Sequence, residues 1–354
     1  MIEKLSVEHR QDIIKALYRG LLGREADAQG LASYAGSLGS LDDLFRIIAS
    51  IDDSPEHRAR MMASSIANYP PDLRKRVELA VSCTDCHDLP KVIHAGEVID
   101  HNGERVQVMH DGTKVLAGGY YGDWQMEIIT RLRGHHEPQE ERIFHHLLQH
   151  VRPGSLMVEL GCFWAYYTNW YLGKVPNARA ICLEPDGNHL RIGEANLRLN
   201  GRSARLIKAG VGENFAESIP LKRISDKAMV HVPIWNYHRL AQELGSERIE
   251  MLHLDVQGAE YGFLRSMQSC RKGQLPRFLV VSTHQAMLDG VSVGHRLCLQ
   301  IMSDLGASIL IEHSPEESFS VDGLVVASFD AEDAALQMPS ISRYRPHEHE
   351  QPIR

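Results

Sequence analysis

Three carboxylates in this chain stand where an apolar run ends and a turn begins. Glu159 closes Leu156-Met157-Val158 one residue before Leu160-Gly161, Glu184 closes Ala180-Ile181-Cys182-Leu183 just before Pro185, and Asp255 closes Ile249 to Leu254 ahead of Gln257-Gly258. A carboxylate at the end of a buried strand accepts hydrogen bonds from a polar ligand lying across the strand ends. Gly161 takes backbone conformations closed to other residues and lets a ligand approach the main chain. A helix starting near Ala165 offers unpaired N–H groups. Glu184 follows Glu159 by 25 positions, the length of one strand-helix-strand unit, and an acid there suits the two hydroxyls of a ribose. The competing structural reading makes Glu184 a cap for the helix carrying Leu190 and Ile192. His284 ends another apolar run, Val280-Val281-Ser282-Thr283. Histidine titrates near neutrality, so His284 is the first candidate for a general base and Asp255 the second. A divalent metal shared by Asp255, Glu260 and His284 would suit the ligand types, but nothing in the spacing demands one, and no metal ligand is assigned. Glu260 alternatively caps its helix.

The elements that position these groups alternate. Strands are expected at 155–160, 179–184, 205–209, 249–255, 278–283, 308–312 and 323–328, with helices between most of them and an irregular insertion over about 213–248. Such alternation implies an α/β fold with a mainly parallel, seven-stranded sheet, covered on both faces. Before it, residues 1–60 show three apolar faces at helical spacing, including Ile13, Ile14, Leu17 and Leu21, with Gly23 and Asp27 as caps. Ser54-Pro55-Glu56-His57 suggests a further helix start. Residues 61–134 read as a linker, broken at Pro70-Pro71, and a small antiparallel meander whose turns are Asn102-Gly103 and Asp111-Gly112. Tyr120, Tyr121 and Trp124, set among glycines, read either as a lid over an acceptor or as packing over a seam. The helix with Ile143 and Phe144 opens the main domain, 135–332, and a polar, histidine-bearing tail at 333–354 is expected to be poorly ordered.

The chain has 354 residues and 43% hydrophobic content, enough for full cores, and a formal charge of -8 that argues against nucleic acid as the main partner. No run is long and apolar enough to span a bilayer, and the first residues lack the pattern of a secretion signal, so the cytoplasm is expected. Cys83-Thr84-Asp85-Cys86-His87 matches a haem-attachment pattern, but without export and without a second ligand pair it reads as a pair of thiols. At the first turn a dinucleotide would want three glycines; Gly161-Cys162-Phe163-Trp164-Ala165 is bulky. S-adenosylmethionine, a nucleoside with no phosphate to cradle, fits better. A nucleotide-dependent oxidoreductase and a non-catalytic nucleoside- or glycan-binding module are the rival readings.

Ile249-Glu250-Met251-Leu252-His253-Leu254-Asp255-Val256-Gln257-Gly258-Ala259-Glu260 resembles the strand-end motif of FkbM-type methyltransferases, Lys-Ile-Asp-Val-Glu-Gly-Ala-Glu, and Glu184-Pro185-Asp186 is similar to their Glu-Pro after strand two. Phe163 and Ala165 stand where that family often has Asn and Gly, Gln257 where it has Glu, and His253 where it has Lys. The resemblance covers about 135–330 and implies a Rossmann-like class I methyltransferase sheet and a small-molecule or glycan acceptor. It places Glu159, Gly161, Cys162 and Ala165 beside the methionine part of the cofactor, Glu184 and Pro185 at the ribose, and Ala209 and Val211 at the adenine. Asp255 falls beside the methyl group, with Tyr121, Trp124, Glu260 and His313 towards the acceptor. The stretch Ala16 to Leu31 also resembles a short bacterial helical domain of unassigned function, often fused to surface or glycan-related proteins. It implies docking or self-association; the simpler reading is that Arg24 and Asp27 pin a turn.

Overall fold

The computed structural model describes residues 6–52, Ser54, Glu56, 69–288 and 290–345. The chain divides into two compact units, Met1–Arg74 and Lys75–Arg354.

In the first unit, helices α1 (Val7–Leu17), α2 (Ala28–Ser37) and α3 (Leu41–Asp52) enclose a small core that includes Ile14, Leu38, Ile47 and Ile51. Gly23 takes the left-handed conformation (φ 65°) after the first helix, and the Asp27 side chain accepts from Gly30 N at 2.8 Å to start the next. Arg24 bridges Asp27 at 3.2 Å and Glu56, so this arginine does pin the turn. Pro55 and His57 of the suggested further helix start lie outside the described residues, as do His347 and His349 of the tail.

At the boundary between the units, Pro71 opens α4 (Pro71–Ser82) instead of breaking a helix, because the first helical position needs no N–H. The meander follows as β1 (Val98–His101), β2 (Glu104–Val108) and β3 (Lys114–Leu116). Asn102 and Gly103, both at positive φ, form its two-residue turn. Helices α5 (Asp123–Arg131) and α6 (Pro138–Leu147) lead into the main sheet.

That sheet holds β4 (Leu156–Leu160), β5 (Arg179–Leu183), β6 (Arg205–Ile207), β10 (Met251–Leu254), β11 (Phe278–Thr283), β14 (Ser308–His313) and β15 (Gly323–Ser328). Their order is β14-β15-β11-β10-β4-β5-β6, with β15 alone antiparallel to its neighbours. These are the seven strands expected, in a Rossmann-like, mainly parallel sheet. From β4 the chain first builds outward through β5 and β6, then returns to add β10 and β11 on the other side. The strand order therefore reverses between β4 and β10, where open α/β sheets form their ligand crevice.

Alternation along the strands sends their side chains to two cores. Val158, Leu160, Leu252, Leu254 and Val281 pack with Phe263 of α10 (Glu260–Arg265), Leu240 of α9 (Tyr237–Leu244) and Ile301 of α11 (His295–Asp304). On the opposite face Met157, Met251 and Val280 pack with Phe144 of α6 and with Tyr167 and Trp170 of α7 (Tyr166–Lys174).

Two segments differ from expectation. The insertion after β6 is regular: β7 (Gly210–Val211), β8 (Ala216–Lys222) and β9 (Met229–Trp235) form a second small sheet before α9. Its hairpin reads as irregular because β8 is mostly solvent-facing and lacks an apolar signal. The short hairpin β12 (Ala286–Leu288) and β13 (Val291–Val293) follows β11. The described part of the tail, 333–345, is also better fixed than its polarity suggests. Ser342 donates to the Asp85 carboxylate from N at 2.8 Å and Oγ at 2.7 Å, and Leu336, Met338 and Ile341 pack on the second core.

Helix α8 (Gly187–Leu199) fastens the meander to the sheet. Buried Asn196 accepts from Leu116 N at 2.8 Å and donates to Trp164 O at 2.9 Å. Asn196→Ala strands both backbone groups, and a loss of about 1–3 kcal/mol for each is expected. A urea unfolding midpoint equal to that of the parent protein would contradict this clamp.

Candidate functional site

Gly161 turns the chain out of β4 at φ +80°, and a Cβ added there would lie 1.7 Å from Asp255 O. The turn is also tied sideways: Gly161 N and Cys162 N both donate to Leu183 O, at 2.8 and 3.2 Å. The ends of β4, β5 and β10 are thus drawn to one point. Above it lies a cleft lined by Glu159, Gly161, Cys162, Glu184 and Asp255, and walled by Tyr120, Tyr121, Phe163 and Trp164.

Glu159 is 4% exposed and its Oε2 accepts from both the N–H (3.0 Å) and the hydroxyl of Thr168. Burial raises its pKa, opposed by nearby His253 and by Thr168. Glu184 accepts from Asp186 N at 2.8 Å and Phe163 N at 3.3 Å; burial outweighs these bonds and raises its carboxyl to about 7. Asp255 is raised to about 7 as well, first by burial, with His284 opposing and Asp322 adding. Its Oδ1 accepts from the Gln257 amide at 2.9 Å.

His284 sits where the sequence put it, 3.7 Å from Asp255 Oδ1, but its environment differs from that of a free base. Glu260 Oε1 lies 2.8 Å from Nδ1 and Asp322 Oδ1 3.1 Å from Nε2. Burial alone would lower its pKa; these two carboxylates outweigh burial and raise it to about 11. These carboxylates favour the protonated ring, which counts against His284 as the base in this arrangement, although the Gln257 amide also lies 3.0 Å from Nε2. Glu260 also accepts from Val256 N and Gly258 N, so it shapes the turn after β10 and orients the imidazole. Ligand atoms of Asp255, Glu260 and His284 all lie within 4.8 Å of one another, as do those of His110, His135 and Glu141.

Other sequence candidates fall outside the cleft. Ala165, left-handed at φ 53°, is a buried helix cap. Ala209 and Val211 belong to the core and, like Pro185, do not line the cleft. Tyr121 meets Phe163 edge-on at 5.1 Å, whereas Trp124 stands beyond it. His313 is buried against Gln139, 3.2 Å away, and also does not line it. The bulky turn residues are walls: Tyr120 stacks on Trp164 at 4.4 Å and Phe163 on His189 at 3.5 Å. Cys83 and Cys86 are buried thiols outside the cleft, and burial pushes Cys83 up to about 12.

The sequence reading missed the start of α6. Glu137, Glu140 and Glu141 all turn inward. Glu140 bridges His253 Nε2 (2.7 Å) and Ser282 Oγ (2.8 Å), while Glu141 holds His135 and His136. Glu137 accepts from Tyr167 Oη at 3.1 Å and lines the cleft with His136. An acidic first turn is normally read as favouring the helix dipole, so the one available signal was the pair of histidines just before it. A smaller cavity beside Glu137 is lined by Gln139, Ser318, Ser320 and Asp322.

No family model and no curated protein matches the chain. Among solved structures it is similar to a precorrin-6y C5,15-methyltransferase from Geobacter metallireducens GS-15, 13% identical over 52% of this chain and 86% of that one, TM-score 0.32. A putative rRNA methylase from Clostridium thermocellum is 12% identical over 54% and 94%, TM-score 0.35. The N-terminal domain of EvdMO1, solved in the presence of S-adenosylhomocysteine (SAH) and D-fucose, is 16% identical over 55% and 83%, TM-score 0.33. The fold class rests on strand order and register, which are independent of these scores. Among the described residues no helix is long and apolar enough to cross a membrane.

Gly161→Ala tests the close approach on which the site is built. The clash with Asp255 O and the positive φ are expected to remove at least about 2 kcal/mol of stability. Denaturant unfolding that differs little from the parent would show that β4 and β10 do not meet as described.

Proposed function

We propose that the protein is an S-adenosylmethionine-dependent O-methyltransferase of FkbM type, acting on a hydroxyl of a sugar, glycan or other hydroxylated metabolite. One observation carries the reading: Glu159, Gly161, Glu184 and Asp255 line a single cleft at the sheet's crevice. In this reading Glu184 takes the ribose hydroxyls, the Glu159 side faces the amino-acid end, and the sulfonium lies by Asp255. The N–H groups of Gly161, Cys162 and Phe163 are all engaged within the protein. They form no cradle for a pyrophosphate, which speaks against the oxidoreductase.

The cofactor supplies an electrophilic methyl group on a positive sulfur. The chain's part is to align an acceptor oxygen with it and to receive a proton. Alignment alone supplies much of the rate. Asp255 would receive the proton of the acceptor hydroxyl as that oxygen takes the methyl group, and the cofactor would leave as its neutral thioether. Asp255 suits this task because its carboxyl is raised towards neutrality while one oxygen, Oδ1, is steadied by Gln257. Protonated His284 acts beside it as a fixed positive group that positions Asp255 and Asp322.

Two substitutions separate binding from chemistry. Asp255→Asn is expected to slow SAH release, with any sugar acceptor that supports it, by about 10²–10⁴. Glu184→Gln is expected to weaken SAH binding in calorimetry by roughly tenfold or more, because a charge-assisted hydrogen bond becomes a neutral one. Unaltered turnover in the first, or unaltered affinity in the second, would reject the assigned role.

A further inference from the structure

Any adenosyl amino acid in this cleft brings a zwitterion, and the cleft shows a shortage of partners for one half of it. Acids are plentiful: Glu137, Glu159, Glu184 and Asp255 all line it. No lysine or arginine is among the described residues that do. The N–H groups of the glycine turn are spent, as described above. Three histidines remain. His189 faces Glu184 at 3.9 Å and stacks on Phe163, and burial lowers its pKa, so it is neutral at neutral pH. His136 has both ring nitrogens engaged, Nδ1 with Glu141 at 2.5 Å and Nε2 with Glu137 at 3.2 Å. His253 is different. Its Nε2 meets Glu140 Oε1 at 2.7 Å, but its Nδ1 is buried with no partner, and the ring is 3% exposed on the cleft floor.

We propose that His253 is the receptor for the carboxylate of the cofactor's amino-acid end, which rests on the methyltransferase reading given above. Three features of the site support the assignment. First, Glu140 is itself fixed, by Ser282 at 2.8 Å, and holds a proton on His253. Burial works against that proton, yet the bond to Glu140 outweighs it and the ring is raised to about 9. Second, a buried N–H of a charged ring without an acceptor is costly, and a carboxylate is the strongest acceptor it can be given. Third, His253 is the register partner of Glu159 on the adjacent strand. Thr168 occupies Glu159 Oε2, which leaves Oε1 for the ammonium group. Neighbouring strands thus present an anion and a cation side by side, the complement of an α-amino acid.

The test compares two ligands that share the adenosyl thioether: SAH, which has the amino-acid end, and 5′-methylthioadenosine, which lacks it. Calorimetry on the full chain at neutral pH gives the affinity of each for the parent, His253→Gln and His253→Lys. His253→Gln should weaken SAH at least about tenfold and leave methylthioadenosine within about twofold. His253→Lys should hold SAH within about threefold of the parent. Retained methylthioadenosine affinity also certifies a folded cleft, and if His253→Gln fails to fold, His253→Lys together with Glu140→Gln is read in its place, with Glu140→Gln weakening SAH alone. Equal losses for the two ligands, or no loss for either, overturn the role of His253. A parent protein that binds neither ligand overturns the methyltransferase reading first, and this inference with it.

Discussion

There is no room for a side chain at Gly161, and much of the site follows from that. The main chain of β4 passes so close to the carbonyl of Asp255 that even a methyl group would overlap it. The same turn donates two hydrogen bonds to Leu183 at the end of β5. Three strand ends are therefore locked together by backbone contacts alone. Side chains at nearby positions, Glu159, Glu184 and Asp255, face a shared hollow while also holding the turns around it. The arrangement is rigid because it depends on buried hydrogen bonds in a parallel sheet, not on loops.

The second feature is the number of acids and histidines buried beneath that hollow. Glu140, Glu141, Glu159, His135 and His253 are all under a tenth exposed. Buried polar groups need partners, and His135 and His253 find theirs on α6, whose first turn points into the protein. The helix that precedes the sheet thereby reaches across it to β10 and β11. This network keeps His253 charged under the cleft and Tyr167 aligned beside Glu137. Removing one member would leave its partner's charge stranded.

Much of this was legible in the sequence. The strands were visible because fully buried parallel strands read as continuous apolar runs, and the carboxylates because each interrupts such a run at its end. What escaped were relations between distant residues. The partner of His253, Glu140, lies 113 positions earlier, and His253 itself registered only as a departure from a family lysine. Glu260 and Asp322 flank His284 from two different segments, so the proton held on that histidine was invisible. Phe163 and Trp164 looked like obstacles to a ligand; stacked on His189 and Tyr120, they are its walls. The mostly solvent-facing strand β8 carried no apolar pattern to find.

The account stands or falls on where an adenosyl thioether sits. A crystal structure of the chain with SAH tests this most directly. The ribose is expected on Glu184, the sulfur beside Asp255 and the amino-acid end between Glu159 and His253. SAH bound elsewhere, or a cleft that stays closed over Tyr120 and Trp164 at saturating SAH, would contradict it.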